Sequence, residues 1–248
     1  VAIIEPGNTT KLLLLLLLWY ALIRAGVPVD ELPDPGAPAD PPHQSEESKP
    51  DPPAETISAL ADRVVVLDPG HGGGEPGATG VTGSREKDNT LAAAMVVKDV
   101  LESAGAKVVL TRDGDYEPNL HLVAPGASLT ERLHQRVQIA IQQKADVFIS
   151  IHNDWNPNPA IRGITTYYWN SPRLATCVHD GLISRTGARS VGVIKKGFYV
   201  IVQAPMPALL LELGFLSNAE DEKLLWSSWY HTLVAEGIRD GLIAYFGG

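Results

Sequence analysis

Cysteine is almost missing from this chain: Cys177 is the single one in 248 residues. An intrachain disulfide is therefore impossible, and so are a cysteine-ligated zinc site and a Cys-x-x-Cys redox pair. Cys177 falls in a helix expected over 173–184 and reads as a small buried hydrophobe. Basic charge is also in deficit, with 20 Lys and Arg against 29 Asp and Glu and a formal net charge of −9. A chain this acidic lacks the electrostatic footprint that DNA or RNA requires, so no nucleic-acid partner is expected. The glycine-rich stretch Gly70-His71-Gly72-Gly73-Gly74 has no Gly-Lys-Ser/Thr and does not lead into a helix at the spacing of a dinucleotide fingerprint, which argues against phosphate binding. Long apolar runs are scarce as well. The run from Leu12 to Ile23 would span roughly 18 Å as a helix, short of a bilayer core of about 30 Å. No internal repeat is visible.

What is present divides the chain into three parts. In residues 1–27, Lys11 precedes the apolar run and Arg24 closes it. This pattern reads as a signal peptide or a membrane anchor, with residues 12–23 as a candidate tether. Residues 28–60 are rich in Pro, Asp, Glu and Ser, including Pro33-Asp34-Pro35 and Asp51-Pro52-Pro53. Such a stretch cannot bury enough apolar surface to fold, and its prolines keep it extended, so it is expected to act as a stalk. An exported domain over 61–248 follows.

Within 61–248, strands are expected at 64–67, 107–111, 146–151, 163–169, 198–202 and 208–213. Helices are expected at 88–104, 129–143, 173–184, 219–225 and 229–245. Alternation of the two predicts an α/β fold: a single domain with a mostly parallel twisted sheet of about six strands flanked by helices. The helix over 129–143 places Leu133, Val137, Ala140 and Ile141 at helical spacing.

Three of the apolar runs end on residues that can bind metal or move a proton. Val64-Val65-Val66-Leu67 leads into Asp68-Pro69-Gly70-His71, Val147-Phe148-Ile149-Ser150-Ile151 into His152, and Ala208-Leu209-Leu210-Leu211 into Glu212. Ligands of open α/β sheets bind at the carboxyl ends of such strands, so these groups point toward one crevice. His71, Glu86 and His152 can supply two imidazoles and a carboxylate, a donor set for catalytic zinc with a position left open. Each also has a plainer reading: Glu86 as an acid favoured by a helix amino terminus, and either histidine as a satisfied structural residue. An ionised Glu212 among leucines needs a partner; it is either half of a structural ion pair or a general base for a metal-activated water. His134, His179 and His231 read as solvated positions on helices, and His121 as a candidate rim residue. Lys195 and Lys196 read either as a solvated turn or as contacts to carboxylates of a substrate.

Four motifs then carry a resemblance. Leu67-Asp68-Pro69-Gly70-His71-Gly72-Gly73, Glu86-Lys87-Asp88, Ser150-Ile151-His152-Asn153 and Leu211-Glu212-Leu213-Gly214-Phe215-Leu216-Ser217-Asn218 resemble, in order and spacing, the zinc-dependent N-acetylmuramoyl-L-alanine amidases of the amidase 3 family. The similarity covers about 63–246, with support from Thr111-Arg112, Arg136 and Gly163 to Tyr168. The resemblance implies His71, Glu86 and His152 as ligands of one Zn2+ and Glu212 as the catalytic acid/base. It implies hydrolysis of the bond between N-acetylmuramic acid and L-alanine, on peptidoglycan or on soluble muropeptides; the export segment and stalk place this at the cell wall or the outer face of the cytoplasmic membrane, and a monomer is expected. A silent wall-binding protein on the same fold is the rival expectation. Glu75 and Asp154 depart from the family's usual residues, and the segment between Trp169 and Phe198 is too short for the self-blocking helix of some relatives.

Overall fold

A computed structural model describes residues 59–247 apart from 120, 122, 123 and 125. The expected export segment 1–27, its tether 12–23 and nearly all of the linker 28–60 lie outside the described residues. Among the described residues no helix is long and apolar enough to cross a membrane.

Six strands form one sheet: β1 (Val64–Pro69), β2 (Lys107–Leu110), β3 (Val147–Asp154), β4 (Ile164–Tyr168), β5 (Ser190–Lys195) and β6 (Ala208–Phe215), in the order β2-β1-β3-β6-β4-β5. Every pairing is parallel except β4 with β6. The helices are α1 (Glu86–Ser103), α2 (Leu129–Gln142), α3 (Pro172–Thr186), α4 (Tyr199–Gln203), α5 (Ala219–Leu225) and α6 (Ser228–Gly247). The expected α/β class and mostly parallel six-stranded sheet are found.

One expected strand is not. The β-branched residues of Phe198–Val202 suggest a strand, but 199–203 is the short helix α4, and the remaining strand of the sheet is Ser190–Lys195. A five-residue apolar run does not by itself separate strand from helix. The true strand lies at the sheet edge, largely exposed, and so carries no buried run to betray it.

Local sequence explains the helix ends. Ser128 and Glu131 form a reciprocal capping box at the start of α2. Pro172 opens α3, and Gly187 closes it in the left-handed region at φ 63°. Asn218 caps α5 by accepting from the backbone of Glu220 and Asp221. α1 has no side-chain cap; the amides of Glu86 and Lys87 instead donate to the carbonyls of Ala78 and Pro76. The beginning of α1 is thereby tied to the glycine-rich loop.

Alternate residues of the strands feed two cores, as the period of two requires. The larger core packs Val65, Leu67, Ile149 and Leu211 under α1, α3 and α6. The smaller packs Val66, Phe148, Tyr167 and Leu210 under α2 and α4. On α2 the buried face is Arg136, Val137 and Ala140, whereas Ile141, expected inside, is exposed. The segment 170–197 is taken up by α3, which packs in the larger core, and by β5.

α3 and α6 meet almost backbone to backbone. A Cβ on Gly241 would lie 2.5 Å from Cα of Val178, and one on Gly237 would lie 2.8 Å from Cα of Leu182. Backbone cannot yield as a flexible side chain can, so Gly241→Val should destabilise the domain by about 2 kcal/mol. A thermal melt followed by circular dichroism should show Tm lower by about 4–8 °C.

Candidate active site

Because β1, β3 and β6 run parallel, their carboxyl ends share one edge, and the register sets Asp68 beside Ser150 and His152 beside Glu212. His71 lies just beyond β1, where the chain turns sharply. Its φ is 62°, a left-handed conformation that costs a residue with a side chain about 1 kcal/mol or more. Gly72 and Gly73 continue the turn at φ 135° and 55°.

Two buried arginines hold this turn in place. Arg136 donates to the carbonyls of Pro69 (2.9 Å) and His71 (2.8 Å), to Asp68 (2.8 Å) and to Glu117 (3.0 Å). Arg112 donates to the carbonyls of Pro69 (3.0 Å), Gly70 (2.8 Å) and Lys87 (2.8 Å). Asp68 also accepts from Thr111 Oγ1 at 2.6 Å and Ser150 Oγ at 2.7 Å. Burial works against its charge, but Arg136 and these donors together hold its carboxyl below the usual range. Glu222 of α5 ties down the loop on the other side, accepting from Thr82 and Ser84.

Glu86, the first residue of α1, reaches between the two imidazoles. Its Oε2 is 3.0 Å from His71 Nε2 and its Oε1 is 2.8 Å from His152 Nδ1. The amides of Ala78 (2.8 Å) and Asn153 (3.1 Å) donate to the same two oxygens. The rings stand edge to face, 5.0 Å apart. Burial opposes ionisation of Glu86, yet hydrogen bonds from His152 and His71 win and hold its carboxyl far below the ordinary range. One ligand atom from each of His71, Glu86 and His152 falls within 4.8 Å of the others.

Glycine clears the space around this trio. A Cβ on Gly77, whose φ is 69°, would come 2.5 Å from Glu86 Oε2 and 2.6 Å from His71 Cδ2. A Cβ on Gly70 would run into the ring of His152. Two imidazoles, one carboxylate and a cradle free of side-chain carbon suit a metal with zinc's preferences.

Glu212 is in the opposite condition to Glu86. It is buried, and its Oε2 has no hydrogen-bond partner. Burial, then the charges of Glu86 and Asp154, push its carboxyl well above the usual range, and Lys196 opposes them. Beside the trio opens a cleft of about 230 Å3, bounded by Leu133, Phe198, Val200 and Leu210, with His71 and His152 at its end. It is the unfilled end of the smaller core.

The four residues singled out from sequence therefore converge. Among the described residues the other histidines do not join them. His134 and His121 are exposed. His179 and His231 are buried rather than solvated: His179 bridges Thr166 and Ser190, and His231 lies 2.6 Å from the carbonyl of Leu225. Burial pushes the pKa of both downward. Sequence reading does not assign the structural work of Arg112 and Arg136. The available signal is an arginine on the apolar face of α2, three residues after Leu133 and next to Val137.

The fold belongs to a recognisable class. The profile of the N-acetylmuramoyl-L-alanine amidases matches residues 65–244, and the chain belongs to that family. It is 35% identical over 191 residues to the probable cell wall amidase LytH of Staphylococcus saprophyticus, a match covering 75% of this chain and 60% of that protein. It is 35% identical over 188 residues to the N-acetylmuramoyl-L-alanine amidase LytC of Bacillus subtilis, covering 73% of this chain and 35% of LytC. The chain thus spans about 60% and 35% of the lengths of these relatives. Among solved structures, the catalytic domain of CwlV, an N-acetylmuramoyl-L-alanine amidase from Bacillus (Paenibacillus) polymyxa var. colistinus, superposes with a TM-score of 0.66 at 36% identity, covering 75% of this chain and 98% of CwlV's.

Asp68→Asn tests the arginine clamp without touching the trio. It strips Arg136 of its most buried counter-charge, and breaking such a pair costs about 3 kcal/mol. Urea denaturation should show a lower midpoint with an unaltered slope.

Proposed function

We propose that this chain hydrolyses the amide between N-acetylmuramic acid and L-alanine in peptidoglycan or its muropeptides, with one Zn2+ held by His71, Glu86 and His152 and with Glu212 as acid/base. The observation that carries the reading is the convergence of three donor atoms within 4.8 Å beside a buried carboxyl with an unpartnered oxygen. Family membership supports the substrate class.

Zinc bound by the trio supplies Lewis acidity, polarising the scissile carbonyl and lowering the pKa of water. The remaining work falls to the chain. Glu86 keeps the amides of Ala78 and Asn153 on its two oxygens, which favours the anionic form a metal ligand needs. Glu212 accepts the proton of the attacking water at its carboxylate and delivers it to the leaving nitrogen. Its burial keeps bulk water from competing for that proton, and the nearby charges of Glu86 and Asp154 raise its basicity. The cleft walls exclude water on one side of the scissile bond. The residues before 61 serve export and tethering in this reading, placing the catalytic domain at the cell wall.

The test incubates the purified chain, zinc-loaded or chelated, with peptidoglycan and with soluble muropeptides, and identifies products by mass spectrometry. Zinc-dependent release of peptides with a free L-alanine amine is expected. Glu212→Gln should slow release by about 10²–10⁴-fold while still binding one equivalent of zinc. A wild-type chain that binds zinc and cleaves neither material is a silent wall-binding domain or one that needs an activating partner.

A further inference from the structure

The cations nearest the site are mostly committed to holding the fold. Arg136 is engaged by Asp68, Glu117 and two carbonyls, and Arg112 by backbone carbonyls. Lys87 is engaged by Asp115 and the carbonyl of Gly73. Lys196 is not. Among the described residues its ammonium makes no hydrogen bond and no ion pair.

Its position is nonetheless fixed. The turn after β5 is closed by the Lys196 amide donating to the carbonyl of Tyr168 (3.0 Å) and the Phe198 amide donating to that of Lys196 (3.1 Å). The ammonium sits 4.7 Å from the centre of the Phe198 ring and 5.2 Å from that of Tyr167. These two rings are themselves packed edge to face at 5.0 Å. Rings attract a cation without consuming its N–H donors in conventional hydrogen bonds. Phe198 also lines the cleft that ends at His71 and His152. Lys196 is near enough to Asp154 and Glu212 for its charge to favour their ionised forms.

The surroundings say what such a cation is for. Glu75 and Glu117 line the cleft, Asp154 and Glu212 lie within electrostatic reach of Lys196, and the chain as a whole carries a net charge of −9. A neutral ligand gains nothing special from Lys196, whereas an anionic one would be repelled without it. On the amide-hydrolysis reading, the anionic part of the substrate is the peptide on the nitrogen side of the scissile bond. We propose that Lys196 is a specificity-determining residue that receives a carboxylate of this leaving peptide, the one on the residue after L-alanine. This inference rests on that reading.

The test uses two N-acetylmuramoyl peptides that differ only in whether that carboxyl is free or amidated, with the zinc-loaded full chain. The wild type should prefer the free carboxylate by about tenfold in kcat/KM, chiefly through KM. Lys196→Gln should abolish the preference, Lys196→Arg should keep part of it, and Lys195→Gln should keep all of it. No preference in the wild type, or an equal loss on both substrates in Lys196→Gln, overturns the proposal. Calorimetric titration of the free and amidated product peptides gives a readout without turnover. If neither substrate is cleaved but the free peptide binds more tightly in a Lys196-dependent way, the hydrolytic reading fails and the carboxylate site stands. Cleavage without selectivity removes the carboxylate site alone.

Discussion

The buried pair of Asp68 and Arg136 is the constraint on which the site depends. Burying two charges is costly, and a pair of this kind rarely adds net stability over an apolar substitute. Its value here is positional. Arg136 reaches from α2 across the end of β1, and the same guanidinium that meets Asp68 also takes the carbonyls of Pro69 and His71. Arg112, just past β2, grips Pro69 and Gly70 from another direction. A loop of small residues would otherwise explore many conformations, and His71 would rarely occupy φ 62°. The planar, multidentate guanidinium suits this task, and lysine could not reproduce it. The trio is therefore only as well ordered as the arginines behind it.

Given that frame, two carboxylates that flank His152 are driven in opposite directions. Glu86 and Glu212 are both buried, so desolvation pushes each toward neutrality. Glu86 meets two imidazoles and two backbone amides, which outweigh burial. Glu212 meets leucines along its own strand and the nearby charges of Glu86 and Asp154, which add to it. Environments that push like groups apart separate a carboxyl held as an anion from one biased toward its protonated form. Here the division follows from strand geometry: Glu86 comes from a helix start that brings amide donors with it, and Glu212 from the middle of a strand whose amides are engaged in the sheet.

Much of this was legible in the residues. Buried strands ending on His71, His152 and Glu212 could be read because apolar runs, turn residues and the strand-end rule act locally. The edge strand β5 could not, because much of its surface faces solvent and its composition reads as loop. The run Phe198–Val202, which follows Gly197, looks like a strand for the converse reason: it is rich in β-branched residues, yet one helical turn buries Val200 and Ile201 in the smaller core. Arg136 is visible on an apolar helix face, but its partners Asp68, Pro69 and His71 are 65 to 68 residues away in sequence. A spacing pattern carries no information about such distant contacts. The burial of His179 and His231 escaped for a related reason, since it depends on which elements pack over each ring.

The reversal of β4 and β5 completes the cleft. Were all six strands parallel, every strand end near the trio would be a carboxyl end, and the groups around it would all descend from one edge. Instead β4 runs against β6, pairing Thr165 with Glu212 and Tyr168 with Leu209. β5 follows β4, pairing Lys195 with Tyr168. The turn carrying Lys196 therefore emerges level with the early part of β6, and the chain passes directly into α4 against the smaller core. α4 is too short to cover that core to its end, so the space above Leu210 stays open between Phe198 and Leu133. The opening has His71 and His152 in its wall, and the Phe198 ring that lines it also holds the Lys196 ammonium. The same two-strand reversal thus also brings Lys196 to the rings of Phe198 and Tyr167.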